Sequence, residues 1–126
     1  MIFIKVIKVL LLCTVIFFSV PFATQAGVAP KFLFEKALQE SQDGNFIQAE
    51  KDWSIYLNDY PNDGAALSNR GNIRLALGDP QGAIRDQTKA IEISPEDLDP
   101  YLNRGIAKEA LQLWEEASED YNFVLQ

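Results

Sequence analysis

The sequence contains no histidine and only one cysteine, Cys13, so it lacks residue types on which much catalysis and metal binding depend. Histidine is the commonest general base near neutral pH and the commonest zinc ligand, and its absence excludes every histidine-dependent triad. A lone cysteine cannot form a disulfide within the chain. Acidic pairs such as Glu115-Glu116 are common on exposed helix faces. We therefore expect no catalytic residues, no metal site and no cofactor.

Basic residues are also scarce. The chain has 11 lysines and arginines against 18 aspartates and glutamates, which gives a net charge of −7. Proteins that bind nucleic acid or anionic membrane surfaces present a basic patch, because phosphate groups must be neutralised. We therefore expect neither kind of partner, and we interpret the acidic residues as solvated helix faces.

Charged residues are missing from Val9 to Val20, an apolar run that follows Lys5 and Lys8. Small residues at Thr24–Ala26 then precede Gly27. A basic start, an apolar core and a small-residue exit are the three parts of a secretory signal peptide. The sequence therefore predicts a signal at residues 1–26 and export to a periplasm, a thylakoid lumen or the outside of the cell.

An uncleaved membrane anchor is the alternative for the same segment. Ile7 to Ala23 comprises 17 residues, at the lower edge of the ~17–25 that span a bilayer. The protein would then be a structural subunit of a membrane-associated complex. Cleavage would instead remove Lys5 and Lys8 and leave nine basic and 18 acidic residues, a net charge of −9.

A unit of 34 residues recurs through the rest of the chain, residues 27–126, in repeats 30–63, 64–97 and 98–126. Fixed-period repetition of this length is typical of helical repeat proteins. Apolar residues at helical spacing and breakers between them predict two antiparallel helices per unit. The middle unit carries the pattern most fully, in Gly71, Gly78, Ala83, Ala90 and Pro95.

The turn inside each unit has its own signal. Gly44 and Gly78 stop the first helix of their units, and Asp79-Pro80 reads as an N-cap followed by the first helical residue. Gln112 stands at the corresponding position of the third unit. We expect this last turn to form without a residue that tolerates the left-handed conformation.

Small residues recur at fixed positions of the unit, and the pattern resembles the tetratricopeptide repeat. Helices pack at ~8–10 Å, and small side chains at the crossing point allow the closest approach. The resemblance implies an all-α fold, a right-handed α-solenoid of antiparallel helix hairpins with three units and six helices. The pattern is carried by Ala37, Gly71 and Gly105 at position 8, by Ala49, Ala83 and Ala117 at position 20, and by Pro61 and Pro95 at position 32. Position 27 departs from the pattern, because only the middle unit has a small residue there, Ala90. The first unit has Tyr56 and the third has Val124.

A basic residue at position 7 and an aspartate at position 23 recur 16 residues apart in every unit. In an antiparallel hairpin the two would face each other, so we interpret them as structural ion pairs that brace each unit. The alternative is that the basic residues bind an anionic partner. The pairs are Lys36 with Asp52, Arg70 with Asp86, and Arg104 with Asp120.

The resemblance also implies a protein-binding groove on the first helices. Asparagines one repeat apart suit the backbone of an extended peptide, because an amide both donates and accepts hydrogen bonds. The alternative is that these asparagines are ordinary surface residues. The groove residues are Phe34, Leu38, Ser68, Asn69, Asn72, Leu102, Asn103 and Ile106.

Well-known binders of this family hold a partner's terminal carboxylate with lysine, arginine and two asparagines. Only Asn69 matches that clamp, since Phe34, Leu38, Asp99 and Asn103 occupy its other positions. The resemblance therefore gives no support for binding of a chaperone's C-terminal tail.

These observations together predict an exported, non-enzymatic scaffold or assembly factor whose partner is a protein or peptide. The sequence around Asn103-Arg104-Gly105 resembles that of repeat proteins of cyanobacteria and chloroplasts, which makes photosystem assembly one candidate role. The last helix carries an apolar stripe that includes Phe123, Val124 and Leu125. A truncated array, self-association through this uncapped helix and a docking site remain alternative interpretations of it.

Overall fold

The computed structural model describes residues 30–126, which form six α-helices joined by short turns. The predicted signal at residues 1–26 lies outside the described residues. The helices are α1 (Pro30–Gln42), α2 (Phe46–Asp59), α3 (Gly64–Ala76), α4 (Pro80–Ile93), α5 (Asp99–Ala110) and α6 (Trp114–Val124). The all-α prediction and the count of two helices per repeat are confirmed.

The helix starts follow from local side-chain chemistry. Asp79 caps α4 by accepting a hydrogen bond from the backbone N–H of Gly82 at 2.8 Å, and Pro80 is the first helical residue, as the sequence predicts. Asp63 caps α3 in the same way, by accepting a hydrogen bond from the backbone N–H of Ala66 at 3.0 Å. Each aspartate satisfies a backbone donor that would otherwise have no partner in the first helical turn.

The turns within the three hairpins all use a left-handed residue. Gly44 and Gly78 have φ angles of 78° and 82°, and Gln112 has a φ of 61°. The last turn therefore forms without a residue that tolerates this conformation at low cost, as the sequence predicts. The 34-residue repeat imposes the same turn on each hairpin, so Gln112 adopts a geometry that costs a residue with a Cβ about 1–2 kcal/mol.

Close approach of the paired helices explains the small residues at position 8. A Cβ added to Gly71 would lie 2.8 Å from Gln87 Nε2, and one added to Gly105 would overlap the ring of Tyr121. Ala37 is completely buried beside its partner helix. The main core lies between the first two repeats and centres on Trp53, which is 0% exposed and donates to Ser41 Oγ at 2.9 Å.

The contacts between helices define a solenoid with an inner and an outer face. Each helix packs against the next one along the chain, and α3 also touches both α1 and α5. Within residues 30–126, the second helices α2, α4 and α6 make no such contacts with one another. The first helices are therefore closer together than the second ones, and they form the inner, concave face.

Candidate protein-binding groove

All eight residues that the sequence predicts as groove residues lie on the first helices α1, α3 and α5, which form the concave face. Leu102 and Ile106 are each 42% exposed, and Asn72 is also exposed. The other five are half-buried. We call this surface the concave groove and define it by Phe34, Leu38, Ser68, Asn69, Asn72, Leu102, Asn103 and Ile106.

Two of these residues also serve the core. The Phe34 ring packs edge-on against Trp53 and Tyr56, with centroids 4.9 and 5.4 Å apart, and Leu38 packs against the same buried cluster. Phe34 and Leu38 nevertheless line an open depression of about 390 Å³ at the α1 end of the groove. The first repeat therefore offers the groove an apolar surface that its own core holds in place.

Hydrogen bonds connect the amides in the middle of the groove. The Gln87 side chain is 0% exposed, and its Nε2 donates to the Ser68 carbonyl and to Asn72 Oδ1, both at 3.0 Å. Asn103 Nδ2 donates to Ser68 Oγ at 3.4 Å and so joins the second and third repeats. Gln87 stands at position 24 of its unit, where the first and third units have Trp53 and Tyr121. Its role depends on its partners on α3, which the sequence alone does not reveal.

The structure brings the members of each predicted ion pair together. Lys36 Nζ lies 2.9 and 2.8 Å from the two carboxylate oxygens of Asp52. Arg70 makes two parallel hydrogen bonds to Asp86, at 2.9 and 2.8 Å, and Arg104 makes two to Asp120, at 2.9 and 2.6 Å. Such bidentate pairs fix both geometry and charge.

A second cation joins two of these pairs. Arg74 Nη1 donates to Asp86 at 2.9 Å, and Lys108 Nζ lies 2.7 Å from Asp120. Both cations are four residues after the paired arginine on the same helix, so they stand on the same face one turn later. This periodicity was present in the sequence and could have predicted both contacts.

The same arginines also link neighbouring repeats. Arg70 Nη1 donates to Ser54 Oγ of the first repeat at 3.3 Å, and Arg104 Nη1 donates to Thr88 Oγ1 of the second at 3.2 Å. Arg74 also pairs with Glu50 of the first repeat at 3.1 Å. A hydroxyl recurs at position 25 of the first two units, which was an unused sequence signal for this contact.

The electrostatics of the third pair follow from its geometry. Burial alone would raise the pKa of the Asp120 carboxyl, but hydrogen bonds from Arg104 and Lys108 outweigh it and lower that pKa. The bond to Asp120 raises the pKa of Arg104 in turn. The side chains of Arg70 and Arg104 are only 17% and 18% exposed. These contacts favour the structural interpretation of the pairs over the binding of an anionic partner.

Tyr56 links the first repeat to the second. Its hydroxyl donates to Asp63 Oδ2 at 2.8 Å, while the other oxygen of Asp63 caps α3. Burial and the nearby carboxylate raise the pKa of Tyr56 to about 12. This contact accounts for a bulky residue at position 27 of the first repeat, where the family pattern has a small one.

Between residues 30 and 126, no three histidine, cysteine, aspartate or glutamate residues cluster in a way that could hold a metal ion. No helix in that range is long and apolar enough to cross a bilayer.

The fold and the groove together define a class of protein, an α-solenoid of helix hairpins with a polar and apolar inner face. Residues 64–97 match the family model described as the tetratricopeptide repeat. Solved tetratricopeptide-repeat domains share the arrangement of all six helices, as the structures below illustrate. The middle unit is therefore a tetratricopeptide repeat, and residues 30–126 have the fold of three such units.

Three proteins illustrate the similarity. The first tetratricopeptide domain of Spaghetti (RPAP3) bound to the HSP90 peptide SRMEEVD matches with 27% identity and a TM-score of 0.73, covering 76% of each chain. The Arabidopsis OM64 domain matches with 27% identity and a TM-score of 0.74, covering 77% of this chain and 80% of that one. The FAM10 family protein At4g22670 of Arabidopsis thaliana is 33% identical over 85 residues, which are 68% of this chain. The matched region spans only 19% of that relative's length.

Proposed function

We propose that this protein is a non-enzymatic scaffold whose concave groove holds a segment of a partner protein. The observation that carries the proposal is the exposure of Leu102 and Ile106, each 42% accessible, beside accessible amides on one concave surface. Apolar side chains that stay exposed next to polar groups are typical of interaction sites. The similar domain of RPAP3 is bound to a peptide, which supports the same mode of action here.

The scaffold proposal also rests on the residues that the sequence lacks. Without histidine the chain has no general base of the commonest kind, and the arginines and lysines on α3 and α5 are engaged in ion pairs. These ion pairs stabilise the hairpins, so the residues available for binding a partner are those of the groove. An enzymatic role has no comparable feature in its favour.

Export remains a prediction because it depends on residues 1–26, and the assembly-factor role remains one because it depends on the resemblance around Asn103-Arg104-Gly105. Mass spectrometry of the protein isolated from its source tests export. Loss of Lys5 and Lys8 from the mature chain is expected for a cleaved signal and for a periplasmic or thylakoid-lumen protein. Retention of both lysines would support the alternative, a structural subunit of a membrane-associated complex held by its N-terminal segment.

Self-association through α6 also remains a prediction. Leu125 is 82% exposed, whereas Leu57, at the same position of the first repeat, is 6% exposed because α3 covers that side. If α6 mediates self-association, the variant Leu125→Glu should lower the mass measured by light scattering. An identical mass for the wild type and the variant would contradict this prediction.

Affinity capture with matched variants tests the scaffold proposal. The full chain and the variants Leu102→Asp plus Ile106→Asp and Ile55→Asp are used as baits in extract from the source organism. Ile55 is a suitable control because it is 54% exposed and lies on the outer helix α2. We expect the groove variant to lose partners that the control retains. Retention of the same partners by the groove variant would overturn the proposal.

A further inference from the structure

The three repeats present different chemistry at the same three positions, numbered 5, 9 and 24 within the unit. The first and third repeats have apolar or aromatic side chains there, and the middle repeat has only polar ones. The residues are Phe34, Leu38 and Trp53 in the first repeat, Ser68, Asn72 and Gln87 in the second, and Leu102, Ile106 and Tyr121 in the third. The concave groove therefore alternates along its length from apolar to polar to apolar.

Hydrogen bonds hold the polar side chains of the middle repeat in place. Gln87 is 0% exposed and holds Asn72 Oδ1 and the Ser68 carbonyl at 3.0 Å, in space that Gly71 leaves free. Gln87 Oε1 is buried and has no hydrogen-bond partner among residues 30–126. An unpartnered buried acceptor is costly, and an aromatic residue here, as in both flanking repeats, would avoid that cost. Fold stability therefore does not account for the polar middle, whereas positioning of Asn72 on the surface does.

The charges of the groove exclude an acidic ligand. Lys31 is the one cation on the concave face of α1, and it lies 3.6 Å from Glu35. Asp99 is exposed at the start of α5, and Glu109 accepts from the Tyr121 hydroxyl at 2.8 Å. A carboxylate-rich segment would meet these acids with the exposed Lys31 as the one cation of α1 to offset them, and like charges repel.

We propose that the concave groove binds an extended, non-anionic internal segment of a partner through two apolar anchors separated by a polar centre. Phe34 and Leu38 form the first anchor site, and Leu102 and Ile106 form the second. The amides of Asn72 and Asn103 bind the backbone of the segment between them, with Gln87 as a positioning residue. This inference rests on the proposed function and specifies the chemistry of its ligand.

The geometry fixes the spacing of the two anchors. Neighbouring packed helices lie about 8–10 Å apart, so the first anchor site on α1 and the second on α5 are separated by about 20 Å. An extended chain advances about 3.3 Å per residue, so the two apolar side chains of the ligand are about six residues apart.

Peptide display tests this spacing directly. The full chain is the bait for two random twelve-residue libraries, one displayed internally with neither terminus free and one with a free C-terminus. We expect the internal library to yield peptides with two apolar positions five to seven residues apart, flanking polar or glycine residues, without enrichment of acids. Enrichment of acidic free C-termini, or of one contiguous apolar stretch, would overturn the proposal.

Two exposed positions supply variants that alter the pattern without removing the fold. Asn72→Leu gives the middle repeat the apolar residue of its neighbours, and a third apolar position is expected between the other two. Ile106→Asn removes one anchor, and the selected peptides are expected to retain a single apolar position. Circular dichroism and thermal unfolding verify the fold of each variant. Selected patterns that stay the same in both variants would show that these residues do not determine specificity.

The outcomes separate this inference from the proposed function. Failure of both libraries to enrich any peptide, with partner capture by the full chain also independent of Leu102 and Ile106, would overturn both. Capture that depends on those residues together with selected peptides that lack the two-anchor pattern would overturn only the inference.

Discussion

At the scale of single residues, the most informative positions are those where this chain departs from its own repeat. Tyr56 replaces a small residue and gains a hydrogen bond to Asp63. Gln87 replaces an aromatic residue and becomes the centre of an amide cluster. Gln112 replaces glycine and takes a positive φ. The sequence identified all three departures, but their consequences depend on partners in other helices or on the backbone of the turn.

Gln112 offers a direct test of backbone strain. Glycine adopts positive φ without the Cβ clash, so Gln112→Gly is expected to stabilise the protein by about 1 kcal/mol. Urea unfolding followed by circular dichroism measures the change. Gly78→Gln is the reciprocal control, since Gly78 has a φ of 82° and open space around it, and it should lose a similar amount. A destabilised Gln112→Gly variant would contradict the assignment of strain to this residue.

The buried carboxylates of the ion pairs differ in their surroundings, and their variants should differ accordingly. Asp86 accepts from Arg70 and Arg74, which are mostly buried. Asp86→Asn therefore leaves Arg70 without a charged partner in a poorly solvated site, while Arg74 keeps only Glu50. The expected loss is about 3 kcal/mol. Asp52 pairs with Lys36, whose side chain is 42% exposed. In the Asp52→Asn variant Lys36 can be solvated by water, so the loss of unfolding free energy should be about 1 kcal/mol. Equal losses in urea unfolding would contradict this account.

At the scale of helices, the sequence predicted elements better than connections. Breakers and N-cap residues indicated where helices begin and end, because those signals are local. The contacts that join one repeat to the next, from Arg70 to Ser54 and from Arg104 to Thr88, depend on how hairpins stack. Only the three-dimensional arrangement shows that each arginine serves two repeats. The boundaries between repeats are thus held by the same side chains that brace the hairpins.

Two tyrosines should make the stability of the helix packing sensitive to high pH. Burial first, and then hydrogen bonds to Asp63 and Glu109, raise the pKa values of Tyr56 and Tyr121 to about 12 from 10.0. Between pH 10 and pH 12 the unfolded chain releases these protons while the folded chain keeps them. The free energy of unfolding therefore falls as the pH rises through this range.

Unfolding in urea at a series of pH values from 8 to 11.5 measures this dependence. The variants Tyr56→Phe and Tyr121→Phe each remove one ionising group and should each flatten the decline, and the double variant should flatten it further. A decline of the same slope in the double variant would contradict the contribution of these hydroxyls.

At the scale of the whole molecule, three unequal repeats produce one continuous inner surface. The family resemblance predicted which positions line it, and all eight lie on the first helices α1, α3 and α5. Their arrangement as apolar, polar and apolar regions follows from the residue types at these positions and could have been predicted. The hydrogen bond from Gln87 to Asn72 could not, because it depends on which neighbour each side chain contacts. Phe34 and Leu38, which the sequence predicts as groove residues, line the depression at one end and also pack against the buried core.

The charge of the groove leads to a prediction about acidic tails. The peptide SRMEEVD is found bound to the RPAP3 domain. It should bind this chain about 100-fold more weakly than it binds that domain, since Asp99 and Asn103 occupy the positions where carboxylate-binding members of the family have basic residues. Fluorescence anisotropy at low salt measures both affinities. Asp99→Lys plus Asn103→Arg should restore part of the binding, and the gain should weaken as salt rises. Tight binding of SRMEEVD by the wild type would contradict the assigned charge preference.

Site-specific photo-crosslinking tests the central claim, that the concave groove holds the partner, most directly. A benzoylphenylalanine is placed at Leu102 in one version of the full chain and at Ile55 in another, and each is irradiated in extract from the source organism. The two positions are both apolar and exposed but lie on opposite faces of the solenoid. We predict a defined protein adduct from position 102 and none from position 55. An adduct at position 55 without one at position 102 would contradict the account.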